Sequence, residues 1–427
     1  MNSNDRSIVG LVAVAHGMVH TYELSIPVLV PIWLAEFRHI SLGPAQFPVN
    51  EATLGVLVAA GYGLFGLGAL PAGVLVDRVD ARTLIAACLA GMGGSFLLLA
   101  AAPSPLVVGL ALAAWGAAAS VYHPSGLSLI SRGVQRRGSA FAYHGMAGNL
   151  GIAVGPLVTI LLLVVLDWRT VAALLTVPAA LAAVYALRVD VDERAAVTET
   201  EGTSAGEGRA RSGVASLGEF LGSARTLFAG AFAVVFAVTL CSGLFYRGVL
   251  TFLPELLRGV PALGPVELGG RTFPPGDYLY VGLLMVGVAG QYLAGVLTDR
   301  GRPERGLVVG FGGLAVVAVL FLPAAAAGLG PLLAVSALLG FLLFFLQPFY
   351  QASVAEYTPP GSRGLSYGFT YLGVFGVGAL GAVVAGAMLT YVSPTGLFVV
   401  LAAIAVAGAA LAGYLVTQAP SAAAPGA

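Results

Sequence analysis

Residues 73–82 read GVLVDRVDAR, and residues 295–305 read GVLTDRGRPER. The two stretches share Gly, Val, Leu, Asp and Arg at equal spacing, and an apolar run precedes each of them. Two further pairs of short motifs follow in the same order: His123-Pro124 with Gln347-Pro348, and Arg137-Gly138-Ser139 with Arg363-Gly364-Leu365. Because three matches recur in one order, we interpret the chain as an internal duplication of two similar halves.

The composition excludes most classes of soluble protein. Of the 427 residues, 58% are hydrophobic and only 9% are charged, whereas soluble domains carry roughly 25% charged residues. The acidic and basic residues balance at 20 each, so no basic field is available to attract nucleic acid. Cytoplasmic enzymes, nucleic-acid-binding proteins and disordered scaffolds are therefore excluded, and a protein embedded in a lipid bilayer is predicted.

Twelve apolar runs are long enough to cross a bilayer, because a membrane-spanning helix needs about 20 mostly apolar residues. They lie at 7–35, 50–76, 83–102, 105–131, 138–166, 168–187, 226–257, 277–298, 305–325, 329–356, 364–391 and 394–417. Strands of a membrane barrel alternate in hydrophobicity, and these runs do not. The sequence therefore predicts an all-α membrane protein with twelve transmembrane helices, which we number spans 1 to 12.

One long polar stretch, residues 188–225, divides the chain. It is rich in Ala, Gly, Ser, Thr and Glu, a composition typical of a flexible linker. The predicted domains are a six-helix bundle at 7–187, this linker, a second six-helix bundle at 226–417 and a short tail at 418–427. Two parallel repeats with a binding site between them are typical of secondary transporters.

The arginines predict which side of the membrane each loop faces. With the N-terminus inside, fifteen of the 20 basic residues fall in inner segments and four fall in outer loops, while Arg247 lies within span 7. Positively charged loops stay in the cytoplasm. The linker, the tail and both termini are therefore predicted to be cytoplasmic in a multi-pass protein of the plasma membrane.

The segment GVLVDRVDAR resembles the loop signature of the major facilitator superfamily, roughly G-x-L-x-D-R-x-G-R, and GVLTDRGRPER is its echo in the second half. The resemblance covers essentially the whole chain in helix count, central linker and repeat, although Asp80 stands where the family usually has Gly. It implies the major facilitator fold. It also implies that these loops brace the cytoplasmic side and set the balance between inward- and outward-facing states, through Asp77, Arg78, Arg82, Asp299 and Arg300. The alternative is a loop that only caps helices and fixes the topology.

A narrower resemblance is to the fosmidomycin-resistance-like branch of that superfamily, whose members export drugs in exchange for protons. It rests on His16, on Tyr122-His123-Pro124, and on Gly148-Asn149-Leu150-Gly151 followed by Gly155-Pro156. The last run also resembles the antiporter signature of the fifth helix, without its closing pair of glycines. Val19 and His20 stand where the branch has Asn and Asp. This resemblance favours antiport and efflux.

Span 1 carries three ionisable residues, His16, His20 and Glu23. At 100° and 1.5 Å per residue they fall within about 60° of arc and about 10 Å of rise, on one stripe of the helix. Ionisable groups inside a membrane are costly and usually mark function, and imidazole exchanges protons near neutrality. We interpret the stripe as a proton relay. The alternative is a hydrogen-bonded patch that fixes span 1 to its neighbours; without a carboxylate-rich cluster, no metal ion is expected.

Arg247 in span 7 keeps its charge in any surroundings, so it needs a carboxylate partner or an anionic ligand. Aligning the two halves places it opposite His20 or Leu24, depending on the register, with Glu23 as the nearest candidate partner. Three interpretations remain. Arg247 binds a carboxylate or phosphonate of the solute, or it pairs with Glu23 as a charge lock that protonation releases, or it extends to the outer interface.

Further polar residues are candidates for binding the solute. His123 lies at a depth similar to that of His16, and it either lines the central cavity or packs as a satisfied histidine. Gln347 and Gln351 lie about one turn apart on span 10. The complete predicted binding set is Tyr22, His123, Asn149, Tyr246, Arg247, Gln347 and Gln351.

No enzyme motif is recognisable, since the chain has no phosphate-binding glycine loop with lysine and no G-x-S-x-G sequence with a plausible triad. No cofactor is expected. The sequence therefore predicts a proton-coupled secondary transporter, active as a monomer, that moves a small anionic or polar organic solute, with antiport favoured. Uptake of a small organic anion by proton symport is the alternative, and a receptor that does not transport is a remoter one. The sequence does not distinguish protons from sodium as the coupling ion.

Overall fold

The computed structural model describes residues 1–76, 78–196, 217–298, 300–359 and 363–418. Within these ranges twelve helices are long and apolar enough to cross a membrane, which confirms the predicted number. They are Ser3–Glu36, Glu51–Leu75, Ala81–Ala100, Pro105–Gly133, Arg137–Leu163, Trp168–Arg188, Phe232–Leu250, Pro275–Thr298, Pro303–Ala327, Leu329–Tyr357, Leu365–Tyr391 and Pro394–Gln418.

Three of the spans are interrupted. Span 2 consists of Glu51–Leu67 and Ala69–Leu75, and span 4 of Pro105–Ala119 and Tyr122–Gly133. In span 4 the break follows from Pro124, which lacks the N–H that would bond to the carbonyl of Ser120. Span 11 begins as an α-helix at Arg363–Tyr371, passes through a π turn and a 3-10 turn, and ends as Leu380–Tyr391.

Each half also contains a β-hairpin that the apolar pattern did not indicate. His39–Leu42 pairs with Ala45–Pro48 after span 1, and Val266–Leu268 pairs with Arg271–Phe273 after span 7. Their turns contain glycines with positive φ, +60° at Gly43 and about +61° and +73° at the Gly269-Gly270 pair, a conformation that glycine adopts without strain. Because the hairpins occupy equivalent loops, they support the duplication. We call this end of the bundle the hairpin end, and the opposite end the linker end.

The predicted linker is partly helical. A helix at Leu217–Phe228 precedes span 7 and takes up the last residues of the 188–225 stretch. The apolar run at 226–257 is divided into the end of that helix, span 7, and a short helix at Leu253–Arg258. Residues 197–216 of the predicted linker and residues 419–427 of the predicted tail lie outside the described residues.

The two halves meet along spans 2 and 11 through glycines. A Cβ atom added to Gly66 would lie 2.0 Å from the backbone nitrogen of Gly376, and one added to Gly386 would lie 2.2 Å from the carbonyl oxygen of Glu51. At the hairpin end the contact is also polar, because the backbone N–H of Ala52 donates to Oγ1 of Thr390 at 2.9 Å. Only glycine permits backbones to approach so closely.

Glycines also permit close contact between the backbones of span 5 and span 1 within the first half. A Cβ atom added to Gly151 would lie 2.2 Å from the carbonyl oxygen of Gly17, and one added to Gly155 would lie 2.6 Å from the backbone of Thr21. This close approach follows the small-xxx-small spacing of the two span 5 glycines. It places His144 of span 5 beside His16 of span 1.

Candidate functional site

A cluster of buried ionisable side chains lies where spans 1, 4, 5 and 7 meet. Glu23 and Arg247 are 1% and 2% exposed, and the four histidines His16, His20, His123 and His144 are all buried. Charges in such surroundings are costly unless they are paired and hydrogen-bonded. The contacts of each charged group therefore decide what the cluster does.

The three ionisable residues of span 1 form one hydrogen-bonded chain. Nδ1 of His16 donates to the carbonyl oxygen of His144 at 2.7 Å, and the Nε2 atoms of His16 and His20 are 3.0 Å apart. Nδ1 of His20 donates to Oε2 of Glu23 at 2.5 Å. The stripe predicted from helical spacing is thus a continuous path from span 5 to the carboxylate. Its role in proton coupling stays a prediction.

The carboxylate of Glu23 joins the two halves of the protein. Its Oε1 accepts a hydrogen bond from Nη2 of Arg247 in span 7, while its Oε2 belongs to the chain of span 1. The register that the sequence left open therefore sets Arg247 against Glu23. Since Arg247 is 2% exposed, the interpretation in which it extends to the outer interface is wrong.

Aromatic side chains from both halves surround this ion pair. The Arg247 guanidinium carbon lies 3.7 Å from the ring centroid of Tyr62 in span 2 and 5.2 Å from that of Tyr246. The Tyr62 hydroxyl donates to the carbonyl oxygen of Glu23 at 3.0 Å. A cation over an aromatic face is attracted by the ring quadrupole, most strongly where water is excluded. Tyr62 thus holds both members of the pair.

His123 extends the cluster toward span 11. Its ring centroid lies 5.4 Å from that of His16 and 5.9 Å from that of His20. On its other side it meets the rings of Tyr371 and Phe375, at 4.9 and 6.0 Å. Phe375 also lies 5.7 Å from the Arg247 guanidinium, so the irregular part of span 11 contacts the histidines and the ion pair at once.

Comparison with known proteins agrees with this architecture. The sequence profile of the Major Facilitator Superfamily matches residues 10–273 and 276–426. The chain belongs to this superfamily. The sequence-based identification is confirmed at this level, whereas the fosmidomycin-resistance-like branch stays a prediction.

Relatives in sequence and in structure are also transporters of the superfamily. Two uncharacterized MFS-type transporters of Mycobacterium tuberculosis, from two strains, are each 34% identical over 156 residues, which is 36% of this chain and 35% of each relative. The alignment thus spans about a third of their length.

An inward-facing bacterial homolog of the human lysosomal transporter Spinster superposes with a TM-score of 0.68 at 15% identity, covering 98% of this chain and 96% of that one. The nucleoside transporter NupG superposes with a TM-score of 0.71 at 14% identity, covering 96% and 99%. These likenesses establish the fold.

Not every predicted binding residue of this major facilitator protein lies in the cluster. Tyr22 donates its hydroxyl hydrogen to the carbonyl oxygen of Leu175 in span 6, and its ring packs on Phe96. Asn149 and Gln347 are half-buried, and Gln351 is exposed. Tyr246 and His123 are at the ion pair and the histidines, as described above. Roles for all of these residues in solute binding stay predictions.

The predicted gating loops can be followed only in part, since Asp77 and Asp299 lie outside the described residues. Arg78 and Arg300 are exposed. Arg82 donates from Nη1 to the carbonyl oxygen of Val189 at 3.1 Å, and its backbone N–H donates to the carboxylate of Glu193 at 2.8 Å. The first loop is thus fastened to the start of the linker. Within it, a hydrogen bond from Thr83 holds the pKa of Asp80 below its usual value.

Three histidines are close enough to be considered as metal ligands. One ring nitrogen from each of His16, His20 and His123 lies within 4.8 Å of the others. A metal ion needs the lone pairs of its ligands directed at one point, whereas Nε2 of His16 and Nε2 of His20 are directed at each other. The expectation that the protein holds no metal stays a prediction.

Sequence reasoning missed the two phenylalanines of the cluster. Phe65 and Phe375 pack on each other and on His123 with centroid distances of 4.8 to 6.0 Å. An aromatic residue in an apolar span packs equally well in a core or against lipid, so its position alone gives no signal. The hydroxyl of Tyr62 was the better signal, because a tyrosine buried in a membrane requires a hydrogen-bond partner.

Proposed function

We propose that this secondary transporter is coupled to protons and moves a small anionic or polar organic solute. Major facilitator proteins work by alternating access, in which two repeats rock around a central site. The observation that carries the proposal is the buried pair of Glu23 and Arg247, because it connects span 1 of one half to span 7 of the other. A proton that neutralises Glu23 removes this connection.

The hydrogen bonds of span 1 support a proton-carrying role. A carbonyl oxygen only accepts, so Nδ1 of His16 must carry a hydrogen toward His144. Another hydrogen is needed between the two Nε2 atoms, and a third between His20 and Glu23. Two neutral imidazoles supply two hydrogens, and an ionised carboxylate supplies none. The chain is complete only when it holds one additional proton.

The class of solute is inferred from the anionic partner that the Arg247 guanidinium requires once Glu23 is neutral. A guanidinium stays charged in proteins, and its desolvation is costly without an anion. A carboxylate or phosphonate of the solute replaces the lost partner, with Tyr246 and His123 beside it. Asn149, Gln347, Gln351 and Tyr22 complete the proposed binding set.

We favour antiport and efflux because of the antiporter-like sequence of span 5. Symport of an anion is the second candidate, and a specific observation favours it. Arg247 and the additional proton contribute two positive charges against the single carboxylate of Glu23. A monoanionic solute that travels with the proton balances this excess. The gating loops and the placement of the linker end in the cytoplasm of the plasma membrane belong to the same proposal.

Reconstitution into liposomes with an internal pH dye tests the coupling. The panel contains phosphonates, carboxylates, sugars and cationic dyes. We expect one class to elicit proton movement, and we expect Glu23→Gln and His20→Ala to abolish it. The matched control is Glu36→Gln, on the same span but paired with Arg169 at the hairpin end, and it keeps proton movement. Solute-linked proton movement that persists in both variants overturns the proposed relay.

The direction is tested in right-side-out vesicles with an imposed inward proton gradient. Antiport predicts that a preloaded solute is expelled, whereas symport predicts that an external solute accumulates. Arg247→Ala should abolish binding of the anionic solute. Binding that is unaffected by this change overturns the anion proposal.

A further inference from the structure

A cationic pocket lies at the linker end between spans 1 and 5, away from the buried cluster. It has a volume of about 550 Å³, and its lining includes Arg6 and Val9 of span 1 and Arg136, Ser139 and Tyr143 at the start of span 5. Both arginines are exposed. Among the described residues neither guanidinium has an ion-pair partner, so the positive charge of the pocket is available to a ligand.

The carboxylate of Asp5, which precedes Arg6 in the chain, is hydrogen-bonded to backbone groups. Asp5 is 1% exposed, and its two oxygens accept the backbone N–H groups of Gln135 and Arg136 at 3.2 and 3.5 Å. These bonds fasten the start of span 1 to the loop before span 5. They hold together the segments that carry Arg6 and Arg136. The Asp5 carboxylate itself forms no ion pair with either guanidinium.

Tyr143, which lines the pocket, lies on an exposed apolar face of span 5. Tyr143, Leu150 and Leu161 are separated by seven and eleven residues, close to two and three helical turns, and therefore share one face. They are 52%, 64% and 50% exposed. Because this exposed apolar face runs from the linker end to the hairpin end, it lies against acyl chains. Arg136 is the N-cap residue of span 5, at the polar end of this helix.

We infer that this pocket binds the headgroup of an anionic phospholipid. The phosphate lies between Arg6 and Arg136, the hydroxyls of Ser139 and Tyr143 add hydrogen-bond donors, and one acyl chain follows Met146 and Leu150. A basic pocket between transmembrane helices, directly above an apolar strip, matches the charge and shape of such a lipid. The inference is independent of the proposed coupling and of the solute.

Fluorescence quenching by brominated lipids tests the inference on the full-length protein. A tryptophan is introduced by Met146→Trp, at a position that is 65% exposed, and its signal is the difference from the parent protein. The vesicles contain brominated phosphatidylglycerol or brominated phosphatidylcholine at equal total lipid. We expect a preference for phosphatidylglycerol of about fivefold per arginine, since a basic residue beside anionic lipid is worth about 1 kcal/mol.

The control variants separate the pocket from general surface charge. Arg6→Gln with Arg136→Gln should bring the preference close to unity, whereas Arg188→Gln, an exposed arginine at the same end outside the pocket, should leave it unchanged. Equal quenching by the two lipids in the parent background overturns the inference, as does an equal loss in all arginine variants. Displacement of brominated phosphatidylglycerol by millimolar inorganic phosphate also overturns it, because the pocket is then a site for free phosphate.

Discussion

Replacing Glu23 by glutamine isolates the charge of the carboxylate, because the side chain keeps its length and can still accept hydrogen bonds. In the wild-type protein Glu23 receives bonds from Arg247 and from His20. The variant leaves the Arg247 guanidinium, which is 2% exposed, without a counter-charge. The double variant Glu23→Gln with Arg247→Gln removes both charges.

The burial of the pair sets the expected magnitude. Breaking a buried ion pair by removing one partner destabilises a protein by about 3–5 kcal/mol, because the other charge stays buried without compensation. We therefore expect each single variant to lose about 3–5 kcal/mol of unfolding free energy. The double variant should lose less than the sum by about 2–3 kcal/mol. The pair of Glu36 and Arg169, whose side chains are 35% and 37% exposed, should show a coupling of less than about 1 kcal/mol.

The assay is equilibrium unfolding of the purified variants in mixed micelles, followed by tryptophan fluorescence and far-UV circular dichroism. Coincident transitions by the two probes justify a single free energy for each variant. Additive losses in the double variant of Glu23 and Arg247 would refute the argument that these side chains stabilise one another. A coupling no larger than that of Glu36 and Arg169 would refute the argument from burial.

Three further predictions follow from contacts described above. Gly66→Ala forces spans 2 and 11 apart at Gly376, so we expect a loss of about 1–3 kcal/mol of unfolding free energy and a loss of transport. Gly63→Ala places its methyl group in open space and should change neither property. Equal thermal shifts for the two variants would contradict this prediction. Tyr62→Phe keeps the ring over Arg247 but loses the bond to the Glu23 carbonyl, so a loss of about 1 kcal/mol is expected, and Tyr62→Ala should lose more in the same unfolding assay. Glu193→Gln removes the negative charge at the N-terminus of span 3, worth about 0.3–1 kcal/mol, and should speed limited proteolysis near Val189. An unchanged cleavage rate would show that this contact does not hold the linker.

The sequence was informative wherever the bilayer restricts the chain. Twelve spans could be predicted because each must be long and apolar, and the paired loops at 73–82 and 295–305 revealed the duplication. The stripe of span 1 could be predicted from helical spacing alone. In each of these cases the constraint acts within one helix, where position along the chain determines position in space.

Features that depend on contacts between helices could not be predicted. The register of Arg247 against Glu23 was left open by one turn, since the prolines of span 1 allow two alignments with span 7. The hairpins have strands of only three or four residues, too short for an alternating pattern. The π turn of span 11 lies in an apolar run like any other, and its last residue, Gly376, packs on Gly66 of another helix.

The glycine contact between spans 2 and 11 has a mechanical consequence. Side chains that interlock across an interface must change rotamers before the two halves can move past each other, and each such rearrangement raises the energy barrier. Backbone that rests on backbone at Gly66 and Gly376 has no rotamers to change. The two halves can therefore rock at this point without a rearrangement of side chains, whereas the contact of Phe65 with Phe375 beside it requires one.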